Sequence, residues 1–428
     1  MGKKKAKQLT RWGGSMTGIA VSPDGSHAAA LGDADFGTQP GDLHVYTFAL
    51  RKNATPTRAS SFDGFAGQAV NSDAHLGAYP MGPYWLEDGG LMVLHNLGGA
   101  GVVTRISGDG ELEALPQAKN SSVAAFAASA RGDLVTLSES NAQPLEVFVG
   151  SGRKAKRVSN LNDFSDTPIS RDLEHLVLER DGFTVEGWVL KPVSWKAGKK
   201  YPVVLNIHGG PATAWGHGYM HEFQLMAAQG YAVAFCNIRG SVGYGDAQTA
   251  GTRGQYFQGD YDDLMAFLDA CLERFSWLDA KRTAVVGGSY GGVMTNWVIG
   301  HTNRFKAAIT DRCISNWVSF HGTSDIGYRF TAREIKGVMP DDTDRLWEMS
   351  PLRYAANVTT PCLIVHSEED HRCPIEQSEQ WFVALKSRGV ATRFIRIPGE
   401  NHDLSRAGRP DRRAFRLREY LDWLERWL

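Results

Sequence analysis

The chain predicts a doubly wound, mostly parallel α/β sheet over residues 173–428, preceded over residues 1–172 by an incomplete all-β, propeller-like part. Two observations carry this. Up to about residue 170, apolar strands are paired across turns rich in Asp and Gly. Beyond it, continuous apolar runs alternate with helix-spaced stripes, the rhythm of βαβ units that cover a sheet on both faces.

In "MTGIAVSPDGSHAAAL", "PYWLEDGGLMVLHNL" and "VAAFAASARGDLVTL" one apolar strand, a turn and a second apolar strand follow one another. The turns at Asp88–Gly89 and Arg131–Gly132 are 43 residues apart, with a third upstream at Asp24–Gly25. Propeller blades of four strands repeat at about 40–50 residues. The segment therefore has room for three or four blades, a β-sandwich being the alternative. "NLGGAGVV" lacks the full dinucleotide-binding pattern and lies between strands, so it reads as a hairpin turn.

"LEHLVLERDGFTVEGWVLKP" is a hairpin leading out of the repeats. "YPVVLNIHGG" and "YAVAFCNIRG" then read as strands buried on both faces. Between them "GYMHEFQLMAAQG" is a helix stopped by Gly230. Leu264, Phe267, Leu268, Cys271 and Leu272 mark a second helix by their i, i+3, i+4, i+7, i+8 spacing. "RTAVVGG", "FKAAITD", "PCLIVHS" and "TRFIRIPG" supply further strands, and Leu417, Tyr420, Leu421 and Leu424 one face of a last helix.

Composition narrows the function. Lys and Arg (46) almost cancel Asp and Glu (47), so nothing in the net charge favours nucleic acid or an anionic membrane as partner. No run approaches the ~18 consecutive apolar residues of a membrane span. "MGKKKAKQLT" has a positive end without the apolar segment of a secretory signal. Five cysteines without a CxxC pair fit free thiols in a reducing compartment. The expectation is a cytoplasmic protein.

The chemistry gathers at Gly287-Gly288-Ser289-Tyr290-Gly291, a G-x-S-x-G sequence after a strand and before a helix. A serine hydroxyl is a poor nucleophile without a base in hydrogen-bond reach. The glycines permit a sharp turn that lifts the hydroxyl above the sheet. In hydrolases of this kind the acid and the base follow the serine in that order. "CLIVHSEEDHRCP" places acids directly after one strand and "FIRIPGENHDLS" places His402 after another. Both loops leave the same edge of a parallel sheet as Ser289, so His402 can take the serine proton while Asp370 orients the ring. Glu368 and Glu369 are rival acids, read as solvated. The backbone N–H groups of Tyr290 and of Gly210, in "HGGP", are the candidate oxyanion donors. His366, His371 and Cys373 fit no standard zinc spacing, and His217 and His221 lack the glutamate of HExxH, so no metal or cofactor is expected.

The ordered set "NIHGGP", "NIRGSVGYG", "GGSYGG", "TSDIG", "HSEEDHRCP" and "PGENHDLS" resembles the prolyl oligopeptidase family of serine peptidases, closest to its acylaminoacyl-peptidase branch. The resemblance implies an α/β-hydrolase fold for the C-terminal part. It implies a Ser289, Asp370 and His402 triad, oxyanion donation by Tyr290 and Gly210, and hydrolysis of short, including N-acylated, peptides through an acyl-enzyme. Arg372 matches an arginine that holds a substrate carbonyl, with pairing to Glu368 or Glu369 as the alternative. Trp317 and Phe320 are candidates to line the pocket before the scissile bond, or to pack in the core. Family members carry a seven-bladed propeller, so the short first part departs from the pattern. This leaves homo-oligomerisation, or blades supplied by another chain, as expectations. A carboxylesterase or lipase, and a propeller-based binding protein with an idle hydrolase part, are the rival functions.

Overall fold

The computed structural model describes residues 6–34, 43–74 and 81–428. The chain divides into two compact units: Met1–Val70, Ala78–Asn162 and Val242–Ala247 in one, Asn71–Gly77, Asp163–Ser241 and Gln248–Leu428 in the other.

The first unit is built of three successive antiparallel sheets. Ser15–Val21, His27–Asp33, His44–Ala49 and Thr57–Arg58 make the first. Phe65–Ala66, Leu91–Leu97, Ala100–Ile106 and Leu112–Ala114 make the second, with Tyr84–Trp85 added beside Leu91–Leu97. Ser122–Ala128, Leu134–Ser140, Gln143–Val149 and Lys156–Arg157 make the third. The three expected turns are present, with Gly25, Gly89 and Gly132 at φ 72°, 82° and 88°, a region that suits glycine. Leu97 pairs with Ala100, so "NLGGAGVV" is a hairpin whose two central residues are glycines. Alternate residues of the central strands join opposite clusters, Ala29, Leu31, Val93 and Ile106 one, Ala28 and Ala30 a second, Met92 and Leu94 a third.

The second unit is an eight-stranded sheet flanked by helices. Its strands are β1 (Leu173–Arg180), β2 (Phe183–Leu190), β3 (Tyr201–Ile207), β4 (Ala232–Asn237), β5 (Leu278–Gly288), β6 (Ala307–Asp311), β7 (Cys362–Ser367) and β8 (Thr392–Ile397). They lie in the order β1-β2-β4-β3-β5-β6-β7-β8. β1 and β2, and β2 and β4, pair antiparallel, and every later pair is parallel. This is the α/β-hydrolase arrangement, and the hairpin that leaves the repeats forms its antiparallel edge.

Two cores sandwich this sheet. Val203, Leu205, Val285 and Ile364 point into one, with helices α2 (Gly259–Arg274) and α3 (Tyr290–His301) packed there. Val204, Ala284, Val286, Leu363 and Val365 point into the other, toward α1 (His221–Ala228) and the C-terminal helix Pro410–Trp427. Successive strand residues face opposite sides, so strands apolar throughout serve both cores at once. The parallel strands all end at one edge, where the loops after β3, β5, β6, β7 and β8 gather.

Candidate active site

Ser289 occupies the turn between β5 and α3 at φ 60° and ψ −119°, a strained conformation for a residue with a side chain. The glycines around it are steric necessities. A Cβ on Gly287 would sit 2.3 Å from the Gly291 carbonyl oxygen, and one on Gly291 would sit 2.1 Å from that of Ile207. The turn packs so tightly against α3 and β3 that only hydrogen fits there.

His402, in the loop after β8, lies with Nε2 3.1 Å from Ser289 Oγ and Nδ1 2.7 Å from Asp370 Oδ2. An ionised carboxylate only accepts, so Nδ1 carries the hydrogen and Nε2 accepts from the serine. Asp370 is 3% exposed in the loop after β7. Its Oδ1 accepts from the backbone N–H groups of Arg372 and Cys373, each at 2.9 Å. Burial alone would raise this carboxyl, but hydrogen bonds from His366 and His402 outweigh it and hold Asp370 well below the ordinary carboxylate range. For His402 burial is the largest effect and lowers its pKa. The Asp370 hydrogen bond opposes this, and the charges of Arg312 and Arg406 add to the lowering.

Tyr290 is the first residue of α3, so its N–H has no acceptor within the helix. Its ring is buried and its hydroxyl donates to Asp260 Oδ2 at 2.7 Å, which moors this end of the helix to α2. Burial raises the Asp260 carboxyl to about 6. Across the turn, His208 braces the HGGP loop. Its Nδ1 donates to the Gly209 carbonyl at 2.8 Å and its Nε2 accepts from Ser241 Oγ at 2.9 Å. Gly210 follows at φ 116°. A Cβ on Gly209 would come within 3.5 Å of the Ser289 Cβ, so the backbone of this loop approaches the hydroxyl closely.

The other predicted residues divide. Arg372 donates to Asp325 at 2.8 and 3.2 Å rather than to Glu368 or Glu369. Glu368 is engaged by Arg396. Trp317 and Phe320 are 0% and 1% exposed. Their rings pack on Phe330 and on each other, so in this conformation they are core and offer no face to a substrate. His366 is buried with Nε2 2.7 Å from the Cys373 carbonyl and Nδ1 2.6 Å from Ser378 Oγ, so it holds the Asp370 loop in place. His217 stands edge-on to Trp188, and the backbone N–H groups of His221 and Glu222 are capped by Asp73. Among the described residues no group of three or more His, Cys, Asp or Glu is placed to hold a metal ion, and no helix is long and apolar enough to cross a membrane. Asp260 and Arg312 were missed in the sequence, whereas His366 was named there and set aside as a base and as a metal ligand. A charged residue at the very end of an apolar strand, as in "AAITDR", was the available signal for Arg312.

With this geometry in view, the comparison with known proteins is direct: residues 217–428 match the prolyl oligopeptidase family. Residues 217–428 belong to that family. The chain is 48% identical over 289 residues to the uncharacterized peptidase YuxL of Bacillus subtilis, covering 67% of this chain and 44% of that protein. It is 32% identical over 237 residues to dipeptidyl-peptidase 5 of Aspergillus fumigatus, covering 54% and 33%. The structure of Pyrococcus horikoshii acylaminoacyl peptidase superposes with a TM-score of 0.82 at 26% identity, covering 96% of this chain and 62% of that one. That likeness extends the fold of the family over both units, an N-terminal β part and a C-terminal α/β-hydrolase part. The chain thus spans less than half the length of the Bacillus and Aspergillus relatives.

Proposed function

We propose that the chain is a serine peptidase that cleaves short peptides, N-acylated ones included, through an acyl-enzyme. The observation that carries this reading is the continuous line Ser289 Oγ, His402 Nε2, His402 Nδ1, Asp370 Oδ2, with contacts of 3.1 and 2.7 Å. His402 takes the serine proton as Oγ bonds to the scissile carbonyl carbon. The N–H groups of Tyr290 and Gly210 receive the oxyanion, and the imidazolium, stabilised by Asp370, passes its proton to the leaving nitrogen as the C–N bond breaks. Water, activated by the same imidazole, then frees the acid.

The names of the relatives support a peptide as substrate: a peptidase, a dipeptidyl-peptidase and an acylaminoacyl peptidase. Arg372, half-exposed and shared with Asp325, is the candidate to hold a substrate carbonyl. The test is Ser289→Ala, which should lower turnover on peptide amides by several orders of magnitude. A fluorophosphonate probe should label the native protein and not the variant. Activity confined to esters, or an undiminished rate in the variant, would refute the proposal.

A further inference from the structure

We propose that Asp325 is a specificity-determining residue that acts through Arg372. It neutralises the guanidinium, so that the arginine takes a neutral substrate carbonyl and turns away substrates that carry a carboxylate there. This rests on the peptidase reading above, in which Arg372 holds that carbonyl.

Arg372 is tied to the catalytic loop at its backbone. Its N–H donates to Asp370 Oδ1 at 2.9 Å, as does that of Cys373. Burial pushes the Cys373 thiol well above its ordinary pKa, and a hydrogen bond with the Ser289 side chain opposes part of that rise. Arg372 is thus next in the chain to a residue that touches the nucleophile. Its side chain is 46% exposed and open to a bound substrate.

Asp325 is held as firmly. It lies just beyond the helix Trp317–Thr323, whose Trp317 and Phe320 are anchored in the core. The Asp325 N–H donates to the His371 carbonyl at 2.9 Å, and Ser324 Oγ donates to the Arg372 carbonyl at 2.7 Å. Ser324 and Asp325, from "TSDIG", therefore grip the two residues that follow Asp370. An aspartate side chain is short, so with its backbone fixed the carboxylate stays beside Arg372.

The pairing sets the charge that a substrate meets. Arg372 Nε donates to Oδ1 at 2.8 Å and Nη2 to Oδ2 at 3.2 Å, one fork of the guanidinium on one carboxylate. The hydrogen bond from Asp325 raises the Arg372 pKa, the mark of a cation already served by an anion. Two of the five N–H groups of an arginine are spent in this way. The others suit a carbonyl oxygen, which brings no net charge. A substrate carboxylate would have to share the cation with Asp325 and stand against a like charge. Freed of Asp325, the same guanidinium would be an open fork for a carboxylate. Both side chains are about half-exposed, so water and salt screen the effect and keep it modest.

The experiment measures kcat/KM on the N-acetyl and N-succinyl forms of one aminoacyl p-nitroanilide, which differ by a carboxylate on the acyl group. The wild-type protein should favour the acetyl form, a measurement that needs no variant to fold. Asp325→Asn should shift the ratio toward the succinyl form by about 2- to 5-fold, mainly through KM. Asp325→Glu keeps the charge and should hold the ratio near that of the wild type. In about 1 M salt, where the Debye length is about 3 Å, the shift should shrink. An unchanged ratio in Asp325→Asn while the fluorophosphonate still labels Ser289, as a merely structural role would give, would overturn the assignment. A wild type that prefers the succinyl form would do the same, and either result leaves the Ser289 chemistry standing. A wild type that cleaves neither amide would bring down the peptidase reading and this inference with it.

Discussion

His402 is where single-residue physics meets the reaction. The base must be neutral, and burial holds the folded pKa below the ordinary 6.5. The rate should therefore be full above that value and fall only as pH drops below it, once imidazolium forms. A kcat/KM profile measures this, and an acidic limb above pH 7 would contradict it. Asp370→Asn removes the acceptor that fixes the tautomer, and turnover should fall about 10⁴-fold. Asp260 offers a test of opposite sign. Its folded pKa of about 6 lies above the ordinary 3.8, so folding favours the neutral form. Ionising it costs stability as pH rises through about 4 to 6, a difference of about 3 kcal/mol. Asp260→Asn keeps an acceptor for the Tyr290 hydroxyl without a charge. It should match the wild type near pH 4 and be the more stable protein at pH 8, read by denaturant midpoint.

The turn joining β5 to α3 is an element defined by what it excludes. Gly291→Ala would force a methyl into the Ile207 carbonyl at 2.1 Å, so backbone must move. A loss of about 1–3 kcal/mol or more, with loss of Ser289 labelling, is expected from denaturation and probe assays. The C-terminal helix shows the limit of periodicity. Leu417, Tyr420, Leu421 and Leu424 mark its apolar stripe, yet Arg416, Glu419 and Trp423 are buried with Tyr420 and Leu424, while Leu417 and Leu421 are half-buried. The face is turned because Arg416 reaches Asp311 at the end of β6 and Glu222 at the start of α1, at 2.6 and 2.9 Å. No helical pattern can announce a partner more than 100 residues away. Arg416→Ala, which removes the buried cation that both acids share, should cost about 3–5 kcal/mol, and Arg416→Met less, since methionine fills the space with an apolar chain.

For the whole molecule, the sequence carries the order of strands and helices because apolar runs of both kinds survive in it. All five cysteines are free and buried. A thiol reagent should therefore find none of them quickly in the native protein and all five in denaturant, and a reductant should leave Tm unchanged. Rapid labelling before unfolding would contradict the burial.

Strand and turn signals, the glycines about Ser289, and the acid and histidine placed after later strands were legible in order along the chain, because each depends on neighbours within a few residues. Packing decided the rest. Trp317 and Phe320 went to the core because their rings found Phe330 and each other. Arg372 found Asp325, Asp260 found Tyr290, and Arg312 was left over Gly288 without an acceptor for Nε. Burial, shared acceptors and the pKa values they set are sums over residues far apart in sequence, and only the folded chain evaluates them.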